Sequence, residues 1–203
     1  MLDKPGIETQ LAQLADISPK GYFVGLHIRF AAPLYTFQTY DQAWINHYTA
    51  QAYAMRDPMI AWGFSMEGAT RWSELEIPDP FGIMDEAAKF GLRYGASISC
   101  GPISSRTIAG IARADRDYEE DEIATAIAII RRLHDITEPP DSLTQAQIDA
   151  LRLIAAGDRH AAAAAKLNIS ESALKARLTA ARQRLLARTT VEALQRAKAY
   201  RLL

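Results

Sequence analysis

Residues 142–187 read SLTQAQIDALRLIAAGDRHAAAAAKLNISESALKARLTAARQRLLA. The stretch has almost no strand character, because Ala, Leu, Arg, Lys and Gln are good helix formers. Thr144 stands where it can N-cap a helix bearing Ile148, Leu151 and Ile154, and Gly157 ends that helix in the left-handed conformation. A short second helix runs through Ala161–Leu167 to Asn168, which tolerates a turn, and Ser170 caps a third. On the third helix Leu174, Leu178, Ala181 and Leu185 form a narrow apolar stripe. Ser172, Ala176, Thr179 and Gln183 lie opposite it, flanked by Lys175 and Arg182, while Arg177 and Arg184 lie nearer the stripe. A generic amphipathic helix also turns charges outward, but a short helix and tight turn in front of it point to a helix-turn-helix. Small polar groups bracketed by cations suit a DNA major groove. Thr190–Ala199 reads as a fourth helix with Val191, Leu194 and Ala197 on one face, available for pairing with a second copy.

Working outward, Glu138-Pro139-Pro140-Asp141 reads as a linker, since paired prolines cannot continue a helix. It divides a chain of net charge −1 into residues 1–141, net −8, and residues 142–203, net +7. A basic tail on an acidic domain suggests a polyanionic partner, double-stranded DNA in this reading. The composition, 49% hydrophobic and 23% charged over 203 residues, is that of an ordinary globular chain. No apolar run reaches the roughly 18 residues of a membrane span, and MLDKPGIETQ lacks a basic-then-apolar signal region, so the expectation is a cytoplasmic protein without membrane contact. A single cysteine, Cys100, and four scattered histidines lead us to expect no disulfide, no metal and no cofactor.

In the N-terminal part, Ile7, Leu11 and Leu14 mark an opening helix, and Tyr22–Arg29 and Pro33–Tyr40 read as strands joined by an Ala-Ala turn. Tyr40, Trp44, Tyr48 and Ala52 recur every four residues on the next helix, so three rings share a face before Asp57-Pro58 breaks the pattern. Such a stripe serves either as core or as a ligand wall. Asp57, ahead of the apolar Met59-Ile60-Ala61-Trp62, needs a hydrogen-bond partner if buried. It either caps the next helix, pairs with Arg56 or Arg71, or accepts from a ligand N–H. Thr107–Ala114 reads as a strand, and Ile123, Ile127 and Ile130 mark a helix on which His134 is expected to be a partly exposed surface residue. Helices and strands in this order suggest an α/β/α sandwich, giving an α/β domain followed by an all-α one.

Two sets of residues resemble one family. Leu143-Thr144, Leu151, Ile154-Ala155, Gly157, Ala163-Ala164, Leu167, Ile169-Ser170-Glu171, Leu174-Lys175 and Leu178 match the four-helix DNA-binding domain of LuxR-type regulators, with Gln147 where the family has glutamate. Tyr40, Trp44, Tyr48, Asp57-Pro58, Trp72 and Phe90-Gly91-Leu92-Arg93-Tyr94-Gly95 resemble, in order and interval, that family's autoinducer-binding domain. The resemblance implies an autoinducer-binding domain at 1–137, a linker at 138–141 and a helix-turn-helix domain at 142–203. It also implies a dimeric regulator whose ligand is an acyl-homoserine lactone. Asp57 would accept from the ligand amide, Trp44 would donate to the lactone carbonyl, Tyr40 would bond the acyl carbonyl, Trp72 would cover the lactone ring, and Ser97 would assist at the carbonyl. Leu26, Leu34, Phe37, Tyr48, Ile60 and Ile111 are the expected acyl sleeve. Ser172, Lys175, Ala176, Thr179, Arg182 and Gln183 would face DNA.

Lactones and acyl amides are hydrolysable, so an enzymatic reading has to be weighed. The sequence has no G-x-S-x-G elbow, no histidine-rich metal constellation and no phosphate loop, and Ser97 and Ser99 have no histidine near them in sequence. No catalytic residue is expected. The competing readings are a receptor for a different small molecule and a regulator that acts through protein partners without DNA.

Overall fold

The computed structural model describes residues 4–28, 32–138, 143–185 and 187–203. The chain forms two compact units, Leu2–Glu138 and Pro139–Leu203. The expected linker residues 139–141, Ser142, Arg29 and Ala31 of the expected turn lie outside the described residues.

The first unit is a mixed α/β fold built on a five-stranded antiparallel sheet in the order β2-β1-β5-β4-β3. The strands are β1 (Tyr22–Ile28), β2 (Tyr35–Gln38), β3 (Gly68–Arg71), β4 (Tyr94–Cys100) and β5 (Arg106–Arg113). Helices α1 (Lys4–Asp16) and α5 (Glu120–Thr137) lie on one face, where Ile7, Leu14, Ile130 and Leu133 meet Val24, Leu26, Ile98, Ala109 and Ile111. The opposite set of strand residues, among them Phe23, Ser97, Ile108 and Gly110, faces α2 (Gln42–Ala50), α3 (Pro58–Ser65) and α4 (Ile83–Lys89). With both faces covered, the central strands are buried along nearly their whole length. Gly63 lets α3 approach closely, since a Cβ there would sit 2.8 Å from the Ile108 side chain, and Ser99 donates to the Gly63 carbonyl at 2.6 Å.

Local rules set the element boundaries, and two of them differ from expectation. Asp41 caps α2 by accepting from the Ala43 N–H, so the helix begins at Gln42 and Tyr40 precedes it. The helix also stops at Ala50; a 3-10 turn, Tyr53–Met55, intervenes, and Asp57 starts α3.

His134 is buried, contrary to the surface position expected for it. Its Nδ1 lies 2.8 Å from the Thr107 hydroxyl, and its ring stacks at 4.4 Å on His27, which is fully buried at a bulge in β1. His27 in turn lies 2.9 Å from the Ser105 hydroxyl and 3.1 Å from both Thr137 Oγ1 and the His134 carbonyl oxygen. The last turn of α5 faces inward here, which periodicity without a known docking angle does not reveal.

The second unit packs α6 (Gln145–Ala155), α7 (His160–Lys166), α8 (Glu171–Arg184) and α9 (Thr190–Ala199) around Leu151, Leu174, Leu178, Leu185 and their neighbours. Thr144 caps α6 and Gln147 reaches back 2.9 Å to the Thr144 N–H, a capping box that glutamine completes in place of glutamate. Gly157 and Asn168 take positive φ, +90° and +53°, and Ser170 caps α8. Val191, Leu194 and Ala197 do not form one free face: Ala197 is buried, Leu194 packs on the unit's own core, and Val191 alone stands out to solvent.

Candidate ligand-binding site

Between the sheet and α2–α4 lies a cavity of about 500 Å³. Tyr40, Trp44, Tyr48, Asp57, Trp72 and Ser97 all line it, although they come from the residues before α2, from α2 itself, from the N-cap of α3, from the 3-10 turn Trp72–Glu74 and from β4. That volume falls within the range of small-molecule pockets, which combine an apolar wall with a few placed polar groups.

The carboxylate of Asp57 is bonded on both oxygens: Oδ1 accepts from the Met59 N–H at 2.8 Å, and Oδ2 accepts from the Tyr48 hydroxyl at 2.8 Å. The first bond is the N-cap of α3. Arg71, one of the cations that Asp57 might have paired with, instead binds Glu74, Glu120 and the Tyr118 carbonyl. Burial pushes the Asp57 carboxyl above the usual carboxylate range, against the lowering by Tyr48 and by backbone N–H groups. Burial likewise raises Tyr40 and Tyr48, with the Asp57 charge adding to both, so the two phenols keep their protons.

Tyr40 donates to the Gly110 carbonyl at 2.9 Å. Trp44 is buried, edge-on to Tyr48 at 5.5 Å and close to Phe90 at 5.4 Å. Trp72 lies against the backbone of Gly95, where a Cβ would come within 2.4 Å of the indole. Its Nε1 is buried without a hydrogen-bond partner among the described residues. Ser97, in register with Gly110, lines the cavity from β4.

The expected sleeve is partly corrected. Tyr48 and Ile60 line the cavity, but Leu26, Phe37 and Ile111 belong to the core on the other face of the sheet, and Leu34 does not line the cavity. Their strand neighbours Phe23, Thr36, Gln38, Ile108 and Gly110 take the place assigned to them. Alternation identified two sets of side chains, but a strand buried on both faces does not say which set meets which layer. Ile83, Met84, Ala87 and Leu92 complete the wall from α4 and the turn after it; no spacing rule singles them out, because their role depends on where α4 docks.

On the second unit, Ser172, Lys175, Ala176, Thr179 and Gln183 are exposed on α8. Arg182 is half-buried and partly committed: it donates to the Thr179 hydroxyl at 3.0 Å and to the Arg188 carbonyl at 3.4 Å.

The sequence profile of the autoinducer-binding domain matches residues 21–136, more than half of the chain and the whole of the cavity's wall. The chain belongs to the autoinducer-binding family of LuxR-type quorum-sensing regulators. It is 26% identical to the HTH-type quorum-sensing regulator RhlR of Pseudomonas aeruginosa, over 66% of this chain, and spans 61% of that relative's length. The fold is similar to that of SdiA from Escherichia coli, with a TM-score of 0.52 at 19% identity, covering 97% of this chain and 90% of SdiA. It is also similar to CepR2 of Burkholderia cenocepacia, an N-acylhomoserine lactone dependent LuxR family transcription factor. There the TM-score is 0.50 at 22% identity, over 64% of this chain and 79% of CepR2. This family of autoinducer receptors and regulators is not a family of enzymes, and its ligands are small molecules. Among the described residues no helix is long and apolar enough to cross a membrane.

Proposed function

We propose that this protein is a ligand-responsive transcriptional regulator that senses an acyl-homoserine lactone and binds double-stranded DNA as a homodimer. Residues 1–137 act as the receptor, 138–141 as the linker and 142–203 as a helix-turn-helix domain. The observation that carries the receptor reading is the convergence of Tyr40, Trp44, Tyr48, Asp57, Trp72 and Ser97 on one cavity whose remaining wall is largely apolar. A carboxylate has about four lone-pair sites, so Asp57 can serve Tyr48 and Met59 and still accept from a ligand amide. Trp44 donates to the lactone carbonyl, Trp72 covers the ring, and the acyl carbonyl meets the hydroxyls of Ser97 and Tyr40. The DNA reading rests on the exposed face of α8, where Ser172, Lys175, Ala176, Thr179 and Gln183 follow a short helix and a tight turn.

Calorimetric titration of the full chain with acyl-homoserine lactones tests the receptor reading, and a gel-shift selection from random duplex DNA tests the output. Saturable lactone binding and recovery of a palindromic site are expected. A second ligand class is worth including: SdiA has been solved in complex with octanoyl-rac-glycerol. A chain that binds the acylglycerol and no lactone would replace the lactone reading with a receptor for a different small molecule.

A further inference from the structure

On the face of the sheet away from the cavity, the last turn of α5 is held by polar groups as well as by apolar packing. A carbonyl oxygen only accepts, so His27 Nε2, 3.1 Å from the His134 carbonyl oxygen, carries the ring hydrogen and donates it there. The neutral ring then keeps a lone pair on Nδ1, which accepts from the Ser105 hydroxyl at 2.9 Å. A β1 side chain thus satisfies one of the carbonyls that the end of α5 leaves without a helical partner. A second link joins His134 Nδ1 to Thr107 Oγ1 at 2.8 Å, and that oxygen also accepts from the His27 N–H at 3.2 Å. Thr137 adds a bond within the turn by donating to the Leu133 carbonyl at 2.6 Å. Room is short here: His27 sits at φ +51° at the bulge, and a Cβ on Gly101 would stand 2.5 Å from His134 Cε1.

This arrangement suits neutral rings. A proton on His27 Nδ1 would meet the hydrogen of the Ser105 hydroxyl, and a proton on either ring would set an imidazolium against a ring centred 4.4 Å away. The surrounding charges oppose that preference without reversing it. Asp135 and Glu138 on α5, and Glu67 between α3 and β3, favour a charged His134, but burial outweighs them and lowers its pKa below 6.5. Glu67 is itself paired at 2.7 Å with Arg106 of β5. Cys100, at the end of β4 with Arg131 and Asp135 among its charged neighbours, stays a thiol, its pKa pushed up to about 11 by burial. We infer that His27 and His134 form an acid-operated latch: with both rings neutral they tie the last turn of α5 to β1 and β5, and proton uptake by one ring releases that turn. The first unit ends at Glu138, so the latch acts where the chain passes on to the second, and it works whatever the cavity binds.

Hydrogen exchange of the full chain tests this, read by mass spectrometry at pH 7.5 and pH 5.5 in dilute urea and corrected for the intrinsic pH dependence of amide exchange. Once released, a ring with the ordinary pKa of 6.5 is about 10 times more often charged than neutral at pH 5.5, so opening of residues 133–138 should become up to about 10-fold more frequent than at pH 7.5. The rise should not depend on urea, because a local opening exposes little surface, and the amides of α2 and α3 should not share it. In His134→Gln it should vanish. An α5 end equally protected at both pH values overturns the inference; so does a rise that grows with urea as global unfolding does, or one that His134→Gln retains. Should that variant fail to fold, NMR titration of the wild-type histidines decides: a ring whose C–H shifts move together with the amides of residues 133–138 supports the latch, and amides that stay unchanged throughout the titration overturn it.

Discussion

Asp57 uses its two oxygens for two purposes, and this makes its replacement informative. Asn in its place keeps the shape, can accept from the Met59 N–H and can offer its amide to Tyr48, but loses the charge. A charge-assisted bond to a ligand amide contributes about 1.5–3 kcal/mol, so Asp57→Asn should weaken lactone binding roughly 10- to 150-fold by calorimetry. Stability should move the other way. Burial raises the Asp57 pKa above its ordinary 3.8, so the folded state holds the proton more tightly than the unfolded chain does. The group's contribution is therefore fullest below 3.8 and is lost as pH rises through the raised value. Ligand-free Asp57→Asn should accordingly melt at or above wild type at pH 7, with the difference shrinking toward pH 4; a variant that melts lower and binds as wild type would make Asp57 a structural cap only. His134 has the opposite sign. Burial lowers its pKa below 6.5 against the nearby carboxylates of Glu138, Asp135 and Glu67, so stability is present above 6.5 and is lost as pH falls through the depressed value. Melting of wild type should decline between pH 7 and pH 5, and His134→Gln, which keeps a group able to hydrogen-bond the Thr107 hydroxyl, should flatten that decline. The roles proposed for Asp57, Trp44 and Trp72 come from the family resemblance, to which the structure adds that the three side chains line one cavity. The burial of His134 was not, because a histidine on a helix takes its environment from the partner layer.

At the scale of elements, α8 shows how local pattern and tertiary contact divide. The stripe Leu174, Leu178, Ala181 and Leu185 is buried as the 3.6-residue period requires, and the outward residues follow from it. The period does not say which cations are free. Lys175 is exposed, whereas Arg182 holds the end of α8 to the Arg188 carbonyl and to Thr179. Lys175→Ala should weaken DNA binding by about 1–3 kcal/mol if it reaches a base, or less with a smaller salt slope if it reaches phosphate, and should leave the melting temperature unchanged. Arg182→Ala should lower the melting temperature as well as the affinity. Equal melting temperatures for both variants would mean that the Arg182 contacts contribute nothing to stability. On the sheet the same division appears: β1 and β5 were recognisable as strands, yet their cavity-facing set, Phe23, Ile108 and Gly110, was set by register and by the docking of α2–α4.

For the whole molecule, the two compact units and the charge division between the halves fit a receptor that carries its own output domain. If α8 is the recognition helix proposed above, one copy would read only a few base pairs and a two-fold pair would read a palindrome, so the proposal carries the expectation of a dimer. Sedimentation of this 22.4 kDa chain with ligand and operator-length DNA removed should give a species of about 45 kDa; a strict monomer at micromolar concentration, with and without ligand, counts against the proposal. The sequence by itself determined whatever depends on neighbours along the chain. The caps at Thr144 and Ser170, the left-handed turns at Gly157 and Asn168 and the apolar face of α8 all follow from single residues or a short period. The tertiary structure alone decided which face of a doubly covered strand meets the cavity, that the α5 histidine turns inward onto His27, and that the Tyr40 hydroxyl is tied to Gly110. Those outcomes depend on strand register and helix docking. Shifting a register by one residue would exchange the two faces of a strand while leaving its local pattern of alternation as it was.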